Sequence, residues 1–201
     1  MFNSRRRPIS NKRKGIIGLV VAIIIYLLFV DRFQTYEQSE VIKNAKPVAV
    51  WEFIADFSKM KQLNPTILDF KILSDVGNIN DWKYTVEFVE QLSHWPNWQN
   101  TINGNFHVRK VLQDHKNLYL VESTHKVCFF KFFCLKSTGE FQIKEFNTDD
   151  THVTETVTFQ CPPFMSTLCR REVEYQRTKI LQNLTYHFAQ LYRQQEMEMM
   201  E

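Results

Sequence analysis

The sequence contains little glycine and proline, with five glycines and six prolines among 201 residues, and it shows no internal repeat. This composition excludes a long low-complexity linker and a repeat architecture. G-x-S-x-G, G-x-G-x-x-G, P-loop and H-E-x-x-H motifs are all absent, so no common hydrolase, nucleotide or metalloprotease signature is present. The cysteines and histidines also lack the spacing of a zinc site. We therefore predict no metal, no cofactor and no assigned catalytic residue.

Acidic residues are missing from the first 30 positions, which hold six basic ones: Arg5, Arg6, Arg7, Lys12, Arg13 and Lys14. Residues 31–201 hold 19 basic and 22 acidic residues, so the formal net charge of +3 comes from the N-terminal tail. A nucleic-acid-binding domain needs a basic face to contact phosphates. We predict that the folded part binds no nucleic acid.

Residues 15–30 read GIIGLVVAIIIYLLFV and carry no charge. Sixteen residues are short for a span, since ~20 helical residues cross a bilayer core. The following segment lacks the small residues of a signal-peptide cleavage site. We predict a basic cytosolic tail at 1–14 and a transmembrane signal anchor at 15–33. The positive-inside rule then gives a single-pass membrane protein with a cytosolic N-terminus, in the endoplasmic reticulum or secretory pathway. A mitochondrial membrane is the alternative.

The rest of the chain is predicted as a linker at 34–39 and one domain at 40–197. A short strand at 40–45 precedes two short helices, the first beginning near Pro47. Alternating polar and apolar residues then predict about six strands, the last at 151–160. A long helix follows Pro162-Pro163, with Leu181, Leu184, Phe188 and Leu191 on one apolar stripe.

The stretch VIKNAKPVAVWEFIADFSKMKQLNPTILDFKIL (41–73) contains a strand, a P-x-x-V-W helix start and a D-F pair at the helix end. This pattern and the element order resemble the helix-grip superfamily (START-like, or SRPBCC), which includes lipid-transport domains, birch-pollen-type allergens and polyketide cyclases. The resemblance covers about residues 38–196. The sequence departs from the family pattern at Asn64, because family members commonly have an aromatic residue before the proline near the second helix. It implies an α+β fold with a curved antiparallel sheet of about seven strands wrapped around a long C-terminal helix.

The resemblance also implies an internal cavity that binds a hydrophobic ligand such as a lipid, a sterol or an isoprenoid. Glu155 lies between Val153 and Val157, so alternation points its carboxylate inward unless a bulge turns it outward. The alternative to a cavity is a core that the same side chains fill. The predicted ligand-binding residues are Tyr84, Val86, Phe88, Phe106, Val108, Phe141, Glu155, Val157, Phe159, Leu184 and Phe188.

The four cysteines form two close pairs, Cys128 with Cys134 and Cys161 with Cys169. These pairs are candidate disulfides in an oxidising compartment and reduced thiols in the cytosol. A meander places both pairs and the 93–99 turn at one end of the domain. At that end we predict a set of residues that contact the membrane, and it comprises Trp95, Trp98, Phe129, Phe130, Lys131, Phe132 and Phe133. The alternative is that alternate phenylalanines of this set lie in the core.

These observations favour a membrane-anchored domain that binds or locally transfers a hydrophobic ligand, with membrane lipid and a hydrophobic small molecule as partners. A non-catalytic interaction or chaperone module with a packed core is the first alternative. An acid–base enzyme on a hydrophobic substrate, using His125, Glu155 or Tyr84, is the second.

Overall fold

The computed structural model describes residues 11–30, 32–78, 80–113, 116–129 and 133–200. Four helices, seven strands and a 3-10 turn follow one another in these residues. In chain order they are α1 (Asn11–Phe29), β1 (Arg32–Ile42), α2 (Pro47–Ala55), α3 (Phe57–Leu63), β2 (Ile67–Asn78), β3 (Asp81–Gln91), β4 (Gln99–Gln113), β5 (Lys116–Phe129), β6 (Phe133–Glu145), β7 (Thr151–Cys161), the Pro163–Met165 turn and α4 (Ser166–Met199).

The two short helices follow from local sequence signals. Pro47 occupies the first turn of α2, where its missing N–H costs no hydrogen bond. α2 buries Val50, Trp51 and Ile54. Asp56 then ends α2 and caps α3, since its carboxylate accepts a hydrogen bond from the Ser58 N–H at 2.9 Å.

All seven strands form one antiparallel sheet in the order β1-β7-β6-β5-β4-β3-β2. β7 shows why the sheet has two different faces. Its residues alternate between buried and half-buried, with Val153, Glu155 and Val157 on the buried face and Thr154 and Thr156 on the other. The inner face therefore takes the apolar side chains and α4, while the outer face is polar.

Helix α4 packs against the inner face through its middle turns, which bury Ile180, Leu181, Leu184 and Phe188. Polar side chains tie the surrounding elements together. The Asn183 amide donates to the Leu63 carbonyl at 2.8 Å, and the Tyr84 hydroxyl donates to the Ala55 carbonyl at 2.9 Å. The architecture is the bent sheet around a long terminal helix that the sequence resemblance implies.

Strand β1 begins earlier than the sequence pattern indicates. It pairs with β7 along its whole length, from Arg32 opposite Cys161 to Ile42 opposite Thr151. Residues 34–39, which we predicted to be a linker, are thus part of the sheet.

The prediction of a membrane anchor at 15–33 is wrong. Among the described residues, no helix combines the length and the apolar character that crossing a bilayer requires. The apolar part of α1, residues 15–29, rises about 22 Å, against ~30 Å of hydrocarbon. Arg32 and Phe33, which the predicted anchor included, already pair with β7.

The predicted single-pass topology loses its basis with that anchor. So does the localisation inferred from it, a cytosolic N-terminus at an endoplasmic reticulum, secretory or mitochondrial membrane. Residues 1–10 of the predicted basic tail lie outside the described residues.

β3, β5 and β7 end at the same end of the sheet at which β1 begins, and we call this end the mouth. The structure joins Cys128 to Cys134 across the β5–β6 hairpin and Cys161 to Cys169 between β7 and α4. These are the two pairs that sequence spacing made candidates, and both lie at the mouth.

Candidate functional site

A cavity of about 550 Å³ opens at the mouth, between the inner face of the sheet and the N-terminal half of α4. Its size falls within the range of small-molecule sites. The β3–β4 loop and the Pro163–Met165 turn complete its walls. Most of the lining is apolar and comprises Leu92, Trp95, Trp98, Ile102, Val127, Leu135, Phe159, Phe164, Met165, Leu168 and Val173.

One carboxylate holds the β3–β4 loop against α4 beside the cavity. Glu172 accepts hydrogen bonds from the Ser93 N–H at 2.9 Å and from the Ser93 hydroxyl at 2.6 Å. The Gln176 amide also donates to Glu172, at 3.1 Å. The loop that carries Trp95 and Trp98 is thereby fixed over the cavity.

An ion pair lies deeper between the sheet and α4. Arg177 donates from Nη1 to Glu155 Oε1 at 2.7 Å, and from Nη2 to Gln176 Oε1 at 3.3 Å. Glu155 is only 1% exposed. Burial raises the pKa of Glu155, and the positive charge of Arg177 opposes that rise. Within the described residues, Glu155 Oε2 and Arg177 Nε are buried without a hydrogen-bond partner.

His125 projects from the inner face of β5 close to this pair. Its Nε2 lies 3.0 Å from the Ser123 hydroxyl, while its buried Nδ1 has no partner among the described residues. Burial, and then the charge of Arg177, lowers the pKa of His125 to about 3. The imidazole is therefore neutral at physiological pH, and it can accept a hydrogen bond but is a weak base.

Two glycines give these polar side chains their space on the inner face. A Cβ on Gly104 would lie 3.0 Å from His125 Nδ1 and 2.9 Å from the Phe106 ring. A Cβ on Gly139 would lie 2.8 Å from the Ser123 hydroxyl oxygen. Since both contacts are shorter than ordinary van der Waals distances, a larger residue at either position would displace its neighbour.

A second carboxylate, Glu90, is half-buried at the wall formed by β3. It accepts hydrogen bonds from the Thr66 hydroxyl at 2.5 Å and the Asn64 amide at 3.3 Å. Burial raises the pKa of Glu90 despite these bonds. Asn64 and Thr66 follow α3, so the α3–β2 connection is attached to the cavity wall through this carboxylate.

The structure separates the predicted ligand-binding residues into groups. Phe159 lines the cavity, and Glu155 points inward, as strand alternation indicated. The Tyr84 and Phe106 rings stack on each other at 4.8 Å, deeper in the domain. Val157 is buried in a small cluster next to β1 and α4. The others are buried in the main core: Val86, Phe88, Val108, Phe141, Leu184 and Phe188.

The sequence reading missed the contribution of the first half of α4. Leu168, Glu172, Val173 and Gln176 line the cavity from that half, and Arg177 follows them. Their spacing is that of one helix face, so the signal was present. Charged residues on that face concealed it, because they are typical of a solvated surface.

The predicted membrane-contact set is placed only in part. Trp95 and Trp98 lie beside the cavity and are about half exposed, at 50% and 44%. Phe129 and Phe133 are the terminal residues of β5 and β6. Phe130, Lys131 and Phe132 lie outside the described residues. Membrane contact by this set remains a prediction.

A wider groove of about 890 Å³ crosses the outer face of the sheet. Most of its lining residues are polar, and they include Thr85, Asn105, Thr124, Thr138 and Thr158, which lie in one cross-strand row. Threonine is favoured on the exposed face of a strand, so sheet stability accounts for this row. The inner cavity is the better candidate, because its lining is mostly apolar and it lies between the sheet and α4.

Comparison with solved structures gives likeness at low sequence identity. The Zhui aromatase/cyclase from Streptomyces sp. R1128 is 14% identical with a TM-score of 0.55, covering 79% of this chain and 94% of that one. Ara h 8.0201 is 12% identical with a TM-score of 0.53, covering 79% and 99%. A START superfamily protein from Mycobacterium smegmatis is 13% identical with a TM-score of 0.51, covering 78% and 98%.

At such identities the likeness concerns the fold alone, and it confirms the helix-grip fold predicted from the sequence. No family model and no curated protein matches the sequence.

Proposed function

We propose, from the helix-grip fold and the cavity at its mouth, that this domain binds a hydrophobic small molecule between the sheet and α4. A lipid, a sterol or an isoprenoid belongs to this class. The observation that carries the proposal is the cavity itself, with a volume of about 550 Å³ and a mostly apolar lining. Burial of an apolar ligand contributes roughly 25 cal/mol per Å² of surface removed from water.

The polar groups of the site support binding better than acid–base chemistry. The Tyr84 hydroxyl donates to the Ala55 carbonyl, and burial raises the pKa of Tyr84, so its proton is held in place. His125 is a weak base because its pKa is about 3. Glu155 is engaged by Arg177. Tyr84 and His125 thus lack a pKa near neutrality.

The test is binding of the neutral fluorophore N-phenyl-1-naphthylamine, whose emission rises in an apolar site. The wild-type protein is expected to bind it with saturation, and native mass spectrometry is expected to detect a co-purified hydrophobic molecule. Bound probe should also raise the thermal midpoint of unfolding. At a free probe concentration of 100 Kd, it should add about 2.7 kcal/mol to the free energy of unfolding.

A matched pair of variants on β5 locates the site. Val127→Trp places a large ring in the cavity, whereas Lys126→Trp places the same ring on the exposed outer face one residue away. Binding should fall at least about tenfold in the first variant and stay unchanged in the second. Equal binding by both variants, or no binding by the wild type, would reject the proposal.

A further inference from the structure

About the last three turns of α4 contribute nothing to the core of the domain. Phe188 is the last buried residue of this helix, and no side chain in the described stretch 189–200 is buried. Residues 193–200 are all exposed. Packing in the interior therefore does not account for the residue types at this end of the helix.

Methionine is concentrated at this end of α4. Three of the six methionines, Met197, Met199 and Met200, fall within four consecutive positions. They are 56%, 78% and 79% exposed. Methionine commonly fills irregular gaps in a core, so three exposed thioethers side by side have no structural purpose in this domain.

The backbone brings these three side chains together. The Met200 N–H donates to the Met197 carbonyl at 3.2 Å, which closes the final turn of the helix. Residues three apart on a helix have their Cβ atoms about 5–6 Å from each other, and Met199 is adjacent to Met200 in the chain. Since each methionine side chain has several rotatable bonds, the three sulfur atoms can reach a common point beside the helix end.

The charges at the end of α4 favour a cation at that point. The C-terminus of a helix carries roughly half a negative charge and leaves carbonyl groups without intrahelical partners. The last turn of α4 has no basic residue to balance this charge, and Glu196 and Glu198 add two carboxylates.

The thioethers determine which cation the site would take. They are neutral, soft ligands that select Cu(I), whereas hard cations such as Ca²⁺ and Mg²⁺ prefer oxygen. Among the described residues, no group of three His, Cys, Asp or Glu side chains could hold a metal ion. The prediction of no metal from the sequence rested on such residues and their spacing, which a thioether site does not use.

We propose that Met197, Met199 and Met200 form a surface site for Cu(I). Their sulfur atoms supply the ligands, and the helix C-terminus with its two carboxylates supplies the compensating negative charge. This site is independent of the cavity and its ligand, so the proposed function and the metal site stand or fall separately.

The test is a titration of the full-length protein, with both disulfides intact, with silver nitrate in chloride-free buffer. Ag(I) shares the preference of Cu(I) for soft ligands and needs no reductant. At about pH 5 a histidine with an ordinary pKa is protonated and does not bind metal, whereas a thioether has no proton to lose. Calorimetry at this pH is expected to show saturable binding of one Ag(I) per chain.

Methionine labelled with ¹³C in its methyl group locates the site by NMR. Ag(I) should shift the signals of Met197, Met199 and Met200 and leave those of Met60 and Met165 in place. The triple variant Met197→Leu/Met199→Leu/Met200→Leu should weaken Ag(I) binding at least about tenfold, and Met60→Leu should bind as the wild type does. The triple variant changes exposed positions only, so its fold should be unaffected.

Cu(I), kept reduced by ascorbate and buffered with bicinchoninate, is expected to show the same dependence on the three methionines. Zn²⁺, which prefers nitrogen and thiolate ligands, should leave their signals unshifted. Equal Ag(I) binding by the wild type and the triple variant would overturn the proposal. So would an absence of saturable Ag(I) binding, or binding that shifts none of the three signals.

Discussion

Glu155 and Arg177 connect the last strand to the last helix through one charged contact of 2.7 Å in the interior. Burying two charges costs several kcal/mol, which their attraction offsets only when both are present. Because Glu155 is almost fully buried and Arg177 is 21% exposed, loss of the arginine leaves the more deeply buried charge alone. Breaking the pair should therefore cost more stability than the intact pair contributes.

Arg177→Leu is expected to lower the free energy of unfolding by about 3 kcal/mol at neutral pH. Burial already raises the pKa of Glu155, and this variant removes the charge that opposes the rise. A carboxyl whose pKa is higher in the folded state favours folding while protonated. Stability should thus be greatest at acid pH and fall as pH rises through the folded-state pKa, which urea unfolding at about pH 5 and about pH 8 measures.

The double variant Glu155→Leu/Arg177→Leu is the control for that experiment. It removes both charges, so it should recover most of the lost stability and abolish the added pH dependence. A single variant that loses less than about 1 kcal/mol, with no change in pH dependence, would show that Arg177 does not compensate Glu155.

Asn183 illustrates a sequence motif that the fold uses differently. Asn183-Leu184-Thr185 has the form of a glycosylation site, but the Asn183 amide donates to the Leu63 carbonyl and is half-buried within α4. Asn183→Ala should lower stability by about 1–2 kcal/mol, while the exposed neighbour change Gln182→Ala should have little effect. Intact-mass measurement after expression in a glycosylating host should show no glycan, and an occupied site would contradict this assignment.

Helix α4 serves two purposes along its 34 residues. Its middle turns bury Ile180, Leu184 and Phe188 in the core, whereas the turns before them line the cavity and border the mouth. The Cys161–Cys169 disulfide fixes the start of this helix to the end of β7. Residues between these cysteines, including Phe164 and Met165, form one wall of the cavity.

Replacing both members of this disulfide by alanine should therefore weaken the domain and loosen that wall. Closing a loop of this length contributes about 2.5 kcal/mol in the chain-entropy model. We expect a loss of stability of this order and faster release of bound fluorophore, measured by urea unfolding and stopped-flow dilution. The Cys128→Ala/Cys134→Ala variant is the comparison, because that disulfide joins a hairpin next to the wall. Identical release rates for both variants would contradict the role given to the Pro163–Met165 turn.

At the scale of the whole molecule, helix α1 lies outside the sheet and approaches the Pro163–Met165 turn. Large apolar side chains of α1, such as Ile16, Leu19 and Ile25, are each more than half exposed. No residue of α1 belongs to the sheet, which begins at Arg32. An exposed apolar surface of this size promotes association.

Removal of residues 1–29 should consequently leave the helix-grip domain folded, with a free energy of unfolding within about 1 kcal/mol of the full chain. The full chain should self-associate in dilute buffer, and the shortened chain should sediment as a monomer. A shortened chain that fails to unfold cooperatively would show that α1 contributes to the domain, in conflict with its exposure.

The sequence was sufficient for the fold because local and global signals agree. Alternation in β7, the proline at the start of α2 and the stripe from Leu181 to Leu191 are each short-range patterns that tertiary packing preserves. Alternation also placed Glu155 inside, and short spacing paired the cysteines. The anchor prediction failed because hydropathy could not reveal that the chain turns into β1 at Arg32.

The cavity was harder to predict than the fold. Its walls come from distant parts of the chain, Leu92 on a loop, Leu135 on β6 and Leu168 on α4, and no periodicity links these positions. Whether rings such as Tyr84 and Phe106 stack on each other or surround a void depends on how far α4 stands from the sheet. That distance is a property of the complete packing and has no signature in a single segment.

The pairing of β1 with β7 has a consequence for how the protein is made. Strands β3 to β7 can each add to the sheet in the order of synthesis, because each pairs with the strand before it. β1 emerges first but pairs with the last strand, so it must wait for about 110 further residues. At roughly 5–20 residues per second, that delay lasts about 5–20 s. During this time the nascent chain presents an unpaired strand edge next to an apolar helix, the combination for which cells keep ribosome-associated chaperones.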